Sequence, residues 1–197
     1  VEVPGCESHE TALLAAILDH DPLLGKCGVK GSQLSDVVKV FESYKVELDK
    51  DSCEIGGALL KSIDDHKLVA LRQLLEAGVD PNQQIEDEFD STTPLIALAF
   101  NRGFPENFQM EALKMLVHCG AKIDQTIDDP RMTALVGFVQ KCQPELVQMC
   151  LEFGADRSKV SEHDLAQCKP ETKERIQKML SSNITKLDTS KSACHWG

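Results

Sequence analysis

The most reactive side chains in this chain are eight cysteines and six histidines. A thiol nucleophile needs a histidine within hydrogen-bond reach and a third group to orient it. His9, His20, His66, His118, His163 and His195 are scattered. His118-Cys119 brings the two types together inside a helical stretch, but neighbours on a helix point to different faces. A metal centre needs three or four converging ligands. Cys6 with His9 and Cys194 with His195 lie in the terminal segments, with nothing to bring them together. No GxxxxGK[ST] or GxGxxG run exists to cradle a phosphate. The reading is therefore a protein without a catalytic site, metal or cofactor, and a thiol enzyme stands only as an alternative.

The residues suited to recognition are charged and aromatic. Glu86, Asp87, Glu88 and Asp90 form an acidic run, and Asp124, Asp128 and Asp129 form another. Between them, Phe100, Phe104 and Phe108 place three of the chain's seven phenylalanines within nine residues. Acidic runs steer basic partners, or simply keep a surface solvated. The three rings either anchor a partner or fold back over the edge of their own helices.

The 197 residues carry 21 basic and 32 acidic side chains, a net charge of −11 with a pI near 5.0. That balance argues against sequence-independent binding to nucleic acid, which needs Lys and Arg to displace counterions. Residues 1–155 hold 13 basic and 26 acidic side chains, whereas 156–197 hold 8 and 6, so the excess lies in the first part. No window approaches the ~18 apolar residues of a membrane span, and Val1-Glu2-Val3-Pro4 lacks the layout of a signal peptide. The missing initiator Met suggests a piece of a longer chain. Cysteines without a CxxC pair or a period, several at small apolar positions of helices, read as reduced, mostly buried thiols of an intracellular protein, cytoplasmic or nuclear.

With 5% aromatic residues, the core must be built from Leu, Val, Ile, Ala and Met, which suits packed helices. Self-similarity organises them. Leu74-Leu75-Glu76-Ala77-Gly78, Leu116-Val117-His118-Cys119-Gly120 and Cys150-Leu151-Glu152-Phe153-Gly154 are three helix endings, each closed by a glycine free to take the left-handed conformation. Thr93-Pro94-Leu95-Ile96-Ala97-Leu98-Ala99 and Thr133-Ala134-Leu135-Val136-Gly137-Phe138 open helices, with Thr93 and Thr133 as entry residues and Pro94 in the first turn. The glycines are 42 and 34 residues apart.

The second spacing lies near the ankyrin period of about 33 and the first is that period with an insertion. The chain resembles the ankyrin-repeat family: Thr93 to Ala99 match its T-P-L-H-x-A signature and Leu74 to Asn82 its helix-to-turn ending. The signature His is missing throughout, replaced by Leu14, Leu60, Ile96 and Val136, so the repeats are divergent and lean on apolar stacking. The resemblance implies an all-α solenoid with hairpin-like fingers. Its units would be a degenerate repeat over 1–55 with a long inter-helix insertion, and repeats over 56–91, 92–131 and 132–158. A cap over 159–181 and a tail over 182–197 would complete it.

The family's fingers and concave face bind other proteins, so the resemblance implies a non-enzymatic protein-interaction module. Its fingers would be 45–55, 79–92, 121–132 and 155–163. Charge then selects the partner: a protein with a basic segment, not nucleic acid and not a membrane. A regulatory or inhibitory domain of a larger enzyme, signalling protein or transcription regulator is the alternative.

Overall fold

A computed structural model describes residues 53–86, 91–127 and 129–182. The expected degenerate first repeat and the tail, apart from Cys53–Ile55 and Ser182, lie outside these residues, as do Asp87, Glu88, Asp90 and Asp128. The regular structure of the described residues is mostly helical. Helices α1 (Cys53–Asp64) and α2 (Leu68–Glu76) are followed by the two-residue strands β1 (Ile85–Glu86) and β2 (Ser91–Thr92). Then come α3 (Pro94–Phe100), α4 (Glu106–His118), α5 (Ala134–Gln140) and α6 (Pro144–Glu152). Two 3-10 turns, Arg157–Lys159 and Glu162–Leu165, lead into α7 (Pro170–Ser181).

The helices pack in two rows. α1, α3, α5 and the Glu162–Leu165 turn touch in succession, α2, α4, α6 and α7 form the second row, and the pairs α1–α2, α3–α4 and α5–α6 bridge the rows. Local sequence sets these elements. The Thr93 and Thr133 hydroxyls, on buried residues, each accept the backbone N–H three residues on, at 3.4 Å, and so cap α3 and α5. Pro94 occupies the first turn, where no intrahelical N–H is needed.

The second-row helices α2, α4 and α6 end alike. Gly78, Gly120 and Gly154 have φ of 85°, 94° and 91°. The next residue, Val79, Ala121 or Ala155, sends its N–H five residues back, to Leu74, Leu116 or Cys150, at 2.9–3.1 Å. This satisfies a helix-end carbonyl while burying a small apolar side chain beneath the turn.

Between the rows runs one aliphatic core in which Leu59, Ile63, Leu71, Leu98, Leu113, Leu116, Leu135 and Leu146 are fully buried. Phe138 is its only fully buried aromatic ring among the described residues. Gly137 permits the close approach of α5 to α3: a Cβ there would lie 3.0 Å from Ala99 Cβ and 3.1 Å from the Ala99 carbonyl oxygen.

Candidate functional site

The turns that follow the second-row helices form one edge of the molecule. Asp80 and Asp156, each two residues past a glycine, fold their carboxylates onto the chain: Asp80 Oδ1 accepts from the Asn82 N–H at 2.9 Å and Asp156 Oδ1 from the Ser158 N–H at 3.0 Å. The turns are then tied to one another. Asn82 Oδ1 accepts from the Lys122 N–H at 2.8 Å while its Nδ2 donates to the Gly120 carbonyl at 3.0 Å. One unit on, Asp124 Oδ1 accepts from the Asp156 N–H at 2.9 Å. Gln125 Nε2 donates back to the Asn82 carbonyl at 2.9 Å. The same side-chain position thus links successive turns twice, a ladder that sequence reading did not find.

This ladder changes the role of two expected contact residues. Asp124 is engaged within the edge through Oδ1. Asp129 closes its own turn, accepting from the Arg131 N–H at 2.8 Å and lying 3.8 Å from the Arg131 guanidinium, which offsets its charge. Glu86 lies in β1 opposite Ser91, with Ile85 opposite Thr92. The hairpin is seated on α1: Ile85 is buried, and a Cβ at Gly56 would meet its Cγ1 at 3.0 Å. The described part of this finger is therefore a strand pair anchored to the helices, and Asp87, Glu88 and Asp90 lie outside the described residues.

The opposite ends of the helices carry the aromatic residues. Phe104 and Phe108 pack edge-on, with centroids 5.7 Å apart, and the His66 ring meets them at 4.8 and 5.0 Å. His66 holds φ at 57° in the α1–α2 turn, which delivers its ring to this cluster. Phe108 is 5% exposed and belongs to the core, so the expectation that it anchors a partner is corrected. Phe100 and Phe104 are half-buried and line one side of a cleft of about 590 Å³.

The cleft lies at the C-terminal ends of α3 and α5 and is closed by the cap. Arg102 and Lys141 line it together with Gln140, Asp164 and Gln167. Lys141 Nζ donates to the Asn101 carbonyl. Burial, and then the nearby Arg102 charge, push the Lys141 pKa below the ordinary lysine value. Asp164 accepts from Gln140 Nε2 at 2.8 Å and from the N–H and hydroxyl of Ser161 at 2.8 and 2.7 Å. Burial raises its pKa, but these hydrogen bonds outweigh it and leave the carboxyl below its ordinary range. Buried Gln109 donates to the Leu98 carbonyl at 3.0 Å and accepts from Gln143 Nε2 at 2.6 Å, joining α3, α4 and α6 behind the cleft.

Cysteine chemistry departs from expectation. Cys142 and Cys168 form a disulfide, so the reading of uniformly reduced thiols fails, and with it the cysteine argument for a reducing compartment. The pair escaped sequence analysis because folding of the cap onto α5 brings together residues 26 apart. Cys150 is fully buried, and burial followed by the Asp124 charge pushes its thiol far above the ordinary range, which leaves it un-ionised and inert. His118 directs Nδ1 at the Lys114 carbonyl, 2.7 Å away, and meets the Phe153 ring edge-on. Among the described residues no group of three or more His, Cys, Asp or Glu could hold a metal, and no helix is long and apolar enough to cross a membrane.

Comparison with protein-family models, curated proteins and solved structures found no match.

Proposed function

We propose that the chain is a divergent ankyrin-like stack that works as a protein-interaction module, its acidic finger edge receiving a basic segment of another protein. The observation that carries this reading is the recurrent turn geometry. Three glycine-closed helix ends and two threonine-capped helix starts recur in order, and the turns between them are joined through Asn82 and Asp124. A linked edge holds its described turns together, so a partner loses little free energy in ordering them. The sequence of this finger supplies Asp80, Glu86, Asp87, Glu88 and Asp90 without a Lys or Arg between residues 79 and 92. Such a field accelerates encounter with a cationic segment and repels nucleic acid and anionic lipid.

The test is replacement of Glu86 and Glu88 by Gln and of Asp87 and Asp90 by Asn, with binding to a fluorescent Lys/Arg-rich peptide followed at several salt concentrations. Association should slow by about tenfold at low salt and its salt dependence should flatten. An unchanged association rate refutes the assignment of this edge.

A further inference from the structure

The finger edge is acidic, yet the cleft at the other end of the helices is lined by cations. Arg102 and Lys141 face the same space of about 590 Å³, and among the described residues neither forms an ion pair with a carboxylate. The acid that shares the cleft, Asp164, accepts its hydrogen bonds from Gln140 and Ser161 and forms no ion pair with either cation, so one positive charge of the two stays unbalanced there. Lys141 gives one N–H to the Asn101 carbonyl and has two more to offer. Arg102 and Lys141 lie close enough for the Arg102 charge to act on Lys141, and an incoming anion would offset both their repulsion and the desolvation of Lys141.

We propose that this cleft is a second docking site, opposite in charge to the fingers, for a polypeptide segment bearing a single carboxylate beside an apolar residue. The acid group would sit on Lys141 and Arg102, where charge-assisted hydrogen bonds form. The adjoining apolar side chain would cover the half-buried Phe100 and Phe104 rings. The exposed amides of Gln140 and Gln167 at the rim match the donors and acceptors of a peptide backbone. Two cations suit one anionic group, whereas a nucleic acid or lipid surface would bring many charges against a net-negative chain. The site stands on geometry separate from the finger edge and survives if the finger assignment fails.

The full chain, labelled with 15N, is titrated with acetyl-Leu-Glu-Leu-amide, with acetyl-Leu-Gln-Leu-amide and with inorganic phosphate while backbone amide shifts are followed. The Glu peptide should shift the amides of Gly103, Lys141, Cys142 and Gln167 saturably, and the Gln peptide should bind about tenfold more weakly, as loss of one charge-assisted hydrogen bond requires. The double variant Arg102→Gln/Lys141→Gln should lose the same factor towards the Glu peptide. Arg102→Gln alone, at an exposed turn residue, should lose several-fold while keeping the parent melting temperature. Equal binding of the two peptides, unaltered binding by Arg102→Gln, or no saturable shift at these amides overturns the proposal. So does phosphate saturating the cleft where the Glu peptide does not, which would make the ligand a phosphate group.

Discussion

Asn82 is expected to contribute to stability out of proportion to its surface position, because one side chain spans two units. Its Oδ1 takes the Lys122 N–H at 2.8 Å and its Nδ2 reaches the Gly120 carbonyl at 3.0 Å. Asn82→Ala removes both bonds, and with them the Nδ2 bond to Asp80 Oδ1 at 3.1 Å, and leaves a turn carbonyl and a turn N–H without their protein partner. At about 0.5–1.5 kcal/mol for each bond, and with water able to reach this edge, the expected loss is about 2 kcal/mol, or about 4–8 °C in melting temperature for a chain of this size. Asp124→Ala removes a single cross-unit bond, from the Asp156 N–H at 2.9 Å, and should cost about 1 kcal/mol. The two residues serve different interfaces, so the double variant should show additive losses within about 0.5 kcal/mol. Asn82→Asp keeps an acceptor for Lys122 but sets a carboxylate against the Gly120 carbonyl, and should fall between Asn82→Ala and the parent. Urea unfolding followed by far-UV circular dichroism measures all four variants. An Asn82→Ala loss below about 0.5 kcal/mol, or one smaller than that of Asp124→Ala, refutes the ladder as a source of coupling between units.

Three other perturbations probe separate parts of the molecule. Breaking the Cys142–Cys168 bond with the pair Cys142→Ala/Cys168→Ala releases a loop of 26 residues, which should cost about 3.5 kcal/mol by loop entropy, with the cap losing hydrogen-exchange protection first. Equal protection across α5 and α7 in the parent and the pair would refute the disulfide as the fastening of the cap. Gly137→Val should destabilise by about 1–3 kcal/mol in the same urea experiment, since a Cβ already approaches the Ala99 carbonyl oxygen at 3.1 Å; unchanged stability would show that α3 gives way. The last perturbation is pH, acting on Glu106 and Glu145 at the starts of α4 and α6. Burial, then the Glu145 charge and hydrogen bond, raise the Glu106 pKa. Burial also raises the pKa of Glu145, but hydrogen bonding and the charge of Arg175, 2.8 Å away, outweigh it and bring the carboxyl below its ordinary value. The folded state therefore gains on protonation of Glu106 as pH falls from 7 toward the ordinary carboxylate range. Below that range, protonation of Glu145 removes the stabilisation it provides when ionised. Melting temperatures should show Glu106→Gln abolishing the first effect and Glu145→Gln the second; identical pH profiles for both variants and the parent would overturn this account.

The parts of this fold that were legible in the sequence are those fixed by neighbours along the chain. A glycine closing an apolar helix end dictates a left-handed turn, and Gly78, Gly120 and Gly154 all have positive φ. A threonine before an apolar run dictates a cap, and Thr93 and Thr133 provide one. What stayed hidden depends on residues 26 to 40 positions apart meeting across an interface. Asn82 and Asp124 read as ordinary turn residues, and only stacking shows that each reaches the backbone of the next turn. Cys142 and Cys168 have no motif spacing, because their bond depends on where the cap lands.

Charge was misjudged in the same way. A count of acids along the chain treats Asp124 and Asp129 like any free carboxylate, whereas one accepts from the Asp156 backbone and the other closes a turn beside Arg131. The converse holds at the cleft, where Arg102 and Lys141 are 39 positions apart and vanish in an acidic average, yet come to line one space. Net charge limits which extended partners can approach the molecule from a distance. What binds at short range follows from which charges the fold has already paired, and here the fold engages Asp124 and Asp129 within the chain while leaving Arg102 and Lys141 without a described counter-ion.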